Sequence, residues 1–154
     1  MSAPDQTGGL PLSPPLDFLR RLWRLNHALE TLSRRMERRI GVTAQQRLIV
    51  RCVGTFPGMS AGQLARLLHL DPGTISAALR RLEAKRLVAR RADPLDGRRV
   101  TLALTARGRA LDSPAKGTAE EAVAELLQSI PAGQAKLVGL VLDGLSDRLD
   151  AKST

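Results

Sequence analysis

The 154-residue sequence has one cysteine, Cys52, so a disulfide framework within the chain is excluded. It has two histidines, His27 and His69, and neither has an adjacent Asp–Ser or Cys partner of the kind a catalytic triad needs. No Cys/His cluster shows zinc-ligand spacing, and no glycine-rich phosphate loop appears. The expectation is a protein that is not an enzyme and takes no metal or cofactor. No run approaches the roughly 18 apolar residues needed to span a bilayer. The first fifteen residues are rich in Pro, Gly and Ser and lack the apolar stretch of a signal peptide. A cytoplasmic chain with no membrane partner is expected.

Positive charge is abundant and unevenly placed. Lys and Arg number 24 against 15 Asp and Glu, a net charge of +9. Residues 1–110 hold 20 basic and 8 acidic side chains, net +12, whereas residues 111–154 hold 4 and 7, net −3. Arginine outnumbers lysine 20 to 4; its planar fork donates two parallel hydrogen bonds and so suits phosphate and guanine. A polyanion is the partner expected for the basic part, and the acidic C-terminal part has another task.

The pattern along the chain is mainly helical. Residues 1–15 read as a flexible tail. Leu22, Leu25, Leu29, Leu32, Met36 and Ile40 recur at three- and four-residue steps, and Gly41 ends the run. A helix of that length cannot be buried within one small chain, so 16–42 reads as a helix shared with a second copy. Thr43-Ala-Gln-Gln46 and Ser60-Ala-Gly-Gln63 have the form of capping boxes and open helices at Ala44 and after Ser60. Asp71-Pro72 supplies an N-cap and a first-position proline for a helix to about Lys85. Leu87–Arg91 and Val100–Leu104 read as two short strands around a turn-rich basic tip, 92–99. Thr105 caps a further helix, with an interruption expected around Ser113-Pro114 and Gly117. Glu120–Ile130 and Gln134–Leu149 complete the chain, with a break at Pro131-Ala-Gly133.

Two helices packed at a fixed angle can set the second into the DNA major groove. Ala65 is the small residue where they cross, flanked by Leu64, Leu67 and Leu68, and Leu70 plugs the turn. At about 100° per residue, Ile75, Ala78, Leu79 and Leu82 fall on one side of the second helix. Gly73, Ala77 and Arg80 fall opposite, with Thr74, Ser76 and Arg81 on the flanks. Ser60 stands at the start of the first helix. In the hairpin, Arg98 and Arg99 beside Gly97 supply the cations that a narrow minor groove attracts. Asp96, two residues before Arg98, is placed to orient its guanidinium through a salt bridge.

The run from Ser60 to Arg109 resembles the MarR family of winged helix-turn-helix regulators, above all in "LARLLHLDPGTISAALRRLEAK", "DPLDGRR" and "LTARG". The match covers 16–112 in layout and the last two helices more loosely. The resemblance implies a mainly α fold with a small antiparallel β-wing, in which 43–112 form the DNA-binding lobe and 16–42 and 113–154 the dimerisation helices. It implies a homodimer gripping a palindromic operator in double-stranded DNA, a transcription factor acting as a repressor. Thr74, Ser76, Ala77 and Arg80 match recognition-helix positions that touch DNA, Arg98 matches the minor-groove wing arginine, and Asp96 its salt-bridged partner. His69 and Arg86 depart from the family pattern, since glycine often stands at both places and both can require a left-handed backbone.

The resemblance further implies release by a small aromatic or acidic effector. Candidate lining residues are Trp23 and His27, four apart on one helix face, with Arg47 and Arg51 as partners for a carboxylate. Arg47 stands where urate-sensing relatives would carry an Asp, so urate is not expected. Cys52 lies beside Ile49, Val50 and Val53, which reads as a buried structural thiol; a thiol-based redox sensor is the alternative. A second alternative is an architectural DNA-binding protein that answers to no ligand.

Overall fold

Proline and capping chemistry decide where the helices begin. In the computed structural model, which describes residues 11–153, Pro14 and Pro15 occupy the first positions of α1 (Pro14–Ile40). Their missing N–H groups would be unpaired there in any residue, so the helix starts two residues earlier than the apolar periodicity indicates. The rest of the expected tail, residues 1–10, lies outside the described residues. Gly41 ends α1 in the left-handed conformation at φ 78°. The Thr43 hydroxyl accepts from the Gln46 N–H, and the Gln46 side chain accepts from the Thr43 N–H, a capping box that opens α2 (Ala44–Thr55). Ser60 and Gln63 repeat it at the start of α3 (Ala61–Leu68). Asp71 caps α4 (Pro72–Ala84).

β1 (Val88–Ala92) and β2 (Val100–Leu104) form a two-stranded antiparallel sheet, with Val88 opposite Leu104 and Ala92 opposite Val100. β1 begins one residue later than the sequence suggests because the Leu87 N–H closes α4, donating to the Leu82 carbonyl at 2.9 Å. The sheet is anchored at the middle of β2, where the Leu102 N–H donates to the Met59 carbonyl at 2.8 Å. The chain continues through α5 (Ala106–Leu111), an irregular joint over 112–118, α6 (Ala119–Ser129) and α7 (Ala132–Lys152). Gly133 falls inside α7, so only Ile130-Pro131 interrupts the last two helices.

One apolar core unites α2, α3, α4 and the sheet: Ile49, Val50, Leu64, Ile75, Leu79, Leu82 and Leu102 are essentially inaccessible. The other helices differ in kind. The whole length of α1 buries Met36 alone, and α6 and α7 bury no residue. Leu16, Trp23, Leu25 and Leu29 on α1, Val123 and Leu126 on α6, and Leu137, Val138, Leu140 and Leu149 on α7 all stand exposed. Apolar exposure of this extent is uncommon on a monomer. Among the described residues no helix is long and apolar enough to cross a membrane.

Candidate nucleic-acid interface

The turn between α3 and α4 is built on backbone hydrogen bonds that demand a left-handed residue. His69 takes φ 50° and ψ 43°, and its N–H donates to the carbonyls of Ala65 and Arg66. The Leu70 N–H follows, donating to the Ala65 carbonyl at 3.0 Å. Ala65 is 94% buried, with 6% of its surface accessible, so a longer side chain has no space at this position. Leu64 is buried with it, whereas Leu67 is exposed and packs less than the pattern suggested.

α4 is amphipathic in the manner expected. Ile75, Ala78, Leu79 and Leu82 are buried; Gly73, Arg80 and Arg81 are exposed; Thr74, Ser76 and Ala77 are half-buried at its flank. The Asp71 carboxylate accepts from the Thr74 N–H at 2.9 Å and also from the Thr74 hydroxyl. These bonds hold the Asp71 carboxyl below its ordinary range, the hydroxyl contributing most. The Thr74 proton is thereby spent within the helix cap, and its oxygen lone pairs remain to accept a bond. The Ser60 hydroxyl is likewise engaged, accepting from the Gln63 N–H at 3.2 Å.

The hairpin tip over 93–99 is shaped by its aspartates. Asp93 accepts from the Leu95 N–H at 2.9 Å, and Asp96 accepts from the Arg98 N–H at 3.1 Å, the local side-chain-to-backbone bonds that make Asp a turn residue. Asp96 therefore meets Arg98 through the main chain, and the side-chain salt bridge expected between them is not formed: the turn directs the carboxylate at the amide. The tip's ion pair lies elsewhere, between Arg99 and Asp93 at 4.0 Å. Arg99 also donates from Nη2 to Gln63 Oε1 at 3.1 Å, tying the hairpin to α3, and Arg90 pairs with Glu83 at 3.0 Å, tying β1 to α4. Gln63, Glu83 and Arg90 thus brace the site without a sequence pattern that assigns them to it; the capping-box spacing of Gln63 is the one local signal among them. Among the described residues the guanidinium groups of Arg80, Arg81 and Arg98 form no hydrogen bond or ion pair with the chain, and all three residues are exposed.

The residues expected to line an effector site are not gathered into one cavity. Trp23 and His27 are exposed on α1. Arg47, with 1% of its surface accessible, is committed to the chain itself, donating to the Leu111 and Ser113 carbonyls at 2.6 and 2.9 Å and pairing with Glu120. It stands inside the fold rather than on a cavity wall. Arg51 pairs with Asp112 at 2.8 Å and borders a cleft shared with Lys116 and Glu121. Cys52 is half-buried against the core, and that burial pushes its thiol pKa up, which disfavours the reactive thiolate. Among the described residues no group of three or more His, Cys, Asp or Glu side chains is placed to hold a metal.

Two helices meeting at a tight turn, followed by a two-stranded hairpin with a basic tip, define a winged helix-turn-helix. The profile described as "MarR family" matches residues 40–99. The HTH-type transcriptional repressor Rv2887 of Mycobacterium tuberculosis is 32% identical over 137 residues, which is 89% of this chain and 97% of that protein. The chain belongs to the MarR family of winged helix-turn-helix transcriptional regulators. Its fold is similar to that of MepR from S. aureus, solved in complex with DNA, at a TM-score of 0.69 and 21% identity over 86% of this chain and 95% of that one. It is similar also to that of PcaV from Streptomyces coelicolor, solved with its natural ligand, at a TM-score of 0.65 and 22% identity over 96% and 98% of the two chains.

Proposed function

We propose that the chain represses transcription as a homodimer, two lobes gripping the half-sites of a palindromic operator in double-stranded DNA. One observation carries this reading: among the described residues Arg80, Arg81 and Arg98 stand without intramolecular partners on the helix-turn-helix and wing, while most of the exposed large apolar residues stand on α1, α6 and α7. Free guanidinium groups on a rigid lobe suit phosphate and base edges. Unpartnered apolar helices suit a second copy of the chain. On this reading 43–112 is the DNA-binding lobe, and 16–42 with 113–154 form the dimer interface.

Gly73, Thr74, Ser76, Ala77, Arg80 and Arg81 then face the major groove, the small residues allowing the helix to approach closely. Ser60 sits at the phosphate backbone, Arg98 enters the minor groove, and Arg99 adds charge while holding the wing on α3. The protein acts in the cytoplasm, and a small aromatic or acidic effector bound near Trp23, His27 and Arg51 weakens its hold on DNA. Repression is supported by the name of the mycobacterial relative, DNA binding by the MepR complex, and an effector by the PcaV complex.

Fluorescence anisotropy tests this with the duplex upstream of the protein's own coding region against a scrambled duplex, at two salt concentrations. The expected result is salt-sensitive binding that prefers the upstream duplex by roughly a thousandfold. Equal binding to both duplexes would point to an architectural role, and no binding at low salt would overturn the reading.

A further inference from the structure

We propose that Arg39, Arg47 and Arg51 form a clamp on the joint between α5 and α6, and that this clamp selects the half-site spacing the regulator accepts; the inference rests on the homodimeric operator-binding reading above. The joint over 112–118 has no helical ladder to stiffen it, and its carbonyls are held by guanidinium groups instead. Arg47 takes the Leu111 and Ser113 carbonyls at 2.6 and 2.9 Å and also pairs with Glu120 at the start of α6. Arg51 takes the Asp112 carbonyl and, at 2.8 Å, its carboxylate. Arg39 takes the carbonyls of Lys116 and, at 3.1 Å, Gly117. Five carbonyls of the joint and its flank are thus fixed from α1 and α2.

The fit around these contacts is close. Gly117 adopts φ +66°, and a Cβ there would stand 2.8 Å from the Arg39 guanidinium. A Cβ on Gly54 would stand 2.2 Å from the Asp112 carboxylate. Burying a guanidinium as completely as Arg47 is costly and yields little net stability, but it does specify one geometry. α6 buries no residue of its own within the chain, so the contacts that join it to the lobe of the same chain are polar. On the other side of the joint, the start of α5 is bonded to the segment that follows α4: Thr105 donates its N–H to the Leu87 carbonyl at 3.1 Å and its hydroxyl to the Arg86 carbonyl at 2.6 Å, and Gly108 packs directly on the Leu87 carbonyl. A change of angle at the joint therefore swings the recognition helix as a rigid body. One base pair added between half-sites displaces them by about 3.4 Å along the axis and about 35° around it, so a stiff joint rejects it and a loose one follows it.

The test uses the full-length protein with an operator selected from random duplexes by the wild type, its half-sites then moved by one or two base pairs in either direction. Arg47→Lys replaces a three-acceptor fork with a point charge; Glu120→Gln keeps shape and an acceptor oxygen while removing the ion pair. The wild type should lose about a hundredfold in affinity on altered spacing, and the variants about tenfold or less, each keeping wild-type affinity for a duplex with one half-site. Glu120→Gln, whose carboxylate is partly exposed, serves if Arg47→Lys does not fold. A folded variant that keeps the wild-type spacing profile overturns the clamp, as does one that loses affinity for single and double sites in equal proportion. A wild type that binds no selected duplex, or is indifferent to spacing, overturns the homodimeric operator reading and the clamp with it.

Discussion

Arg99 reaches from the wing to Gln63 on α3, Nη2 to Oε1 at 3.1 Å, and the same Gln63 oxygen accepts from the Ser60 N–H at 2.8 Å. One amide thus serves as a helix cap and as the dock for the wing. Its neighbour Arg98 contributes only its main-chain N–H to the fold.

The two arginines should therefore separate on mutation. Arg98→Ala is expected to weaken operator binding roughly tenfold and to reduce the salt slope by about 1 per wing, with no change in thermal stability. Arg99→Ala should weaken binding and also speed amide exchange in residues 93–99, read by hydrogen-exchange mass spectrometry. Equal exchange in the two variants would remove the docking role of Arg99.

His69 and Arg86 occupy left-handed backbone at φ 50° and 56°, a conformation that costs a residue with a Cβ about 1 kcal/mol. His69→Gly and Arg86→Gly should each raise unfolding free energy by up to about 1 kcal/mol in urea titrations, less what glycine's freer unfolded chain takes back. The two sites lie at opposite ends of the recognition helix, so the gains should add.

Gly108 has no room for even one methyl group, since a Cβ would lie 2.0 Å from the Leu87 carbonyl oxygen, a backbone atom that cannot rotate away. Gly108→Ala should destabilise the lobe by about 3 kcal/mol. Circular dichroism melting would show it, and DNA affinity should fall through the displaced end of α4.

Asp71 is held below its ordinary pKa of 3.8 by the Thr74 hydroxyl and N–H. A depressed carboxyl stabilises the fold at pH above the unfolded value, and the contribution vanishes as pH falls through the folded one. Asp71→Asn keeps a capping oxygen without the charge. The wild type should be the more stable at neutral pH, and the difference should close below pH 3.8, as followed by denaturant midpoints.

Local chemistry was what the sequence made readable. Hydroxyl or carboxylate caps at Thr43, Ser60 and Asp71 act within a few residues and appear where their spacing places them; the strand from Val100 to Leu104 also forms, but with Val100 exposed and Thr101 buried rather than in strict alternation. The left-handed turns at His69 and Arg86 were legible because they stand where a glycine would otherwise be expected. The roles of Arg47 and Asp96 were not. Arg47 finds Glu120 at 73 positions' remove, and no periodicity encodes such a contact. Asp96 lay within reach of both the amide and the guanidinium of Arg98, and spacing alone cannot choose between them.

Residues 43–112 share one apolar core, whereas α1 buries Met36 alone and α6 and α7 bury no residue. On the homodimeric reading proposed above, two thermodynamic regimes follow within one chain. Unfolding of the lobe is a property of the polypeptide, indifferent to how many copies surround it. Ordering of the outer helices obeys mass action, so their melting temperature rises with protein concentration. On that reading the protein reaches full stability only when enough copies are present, and the concentration at which it becomes robust is set by the same helices that would space the two lobes.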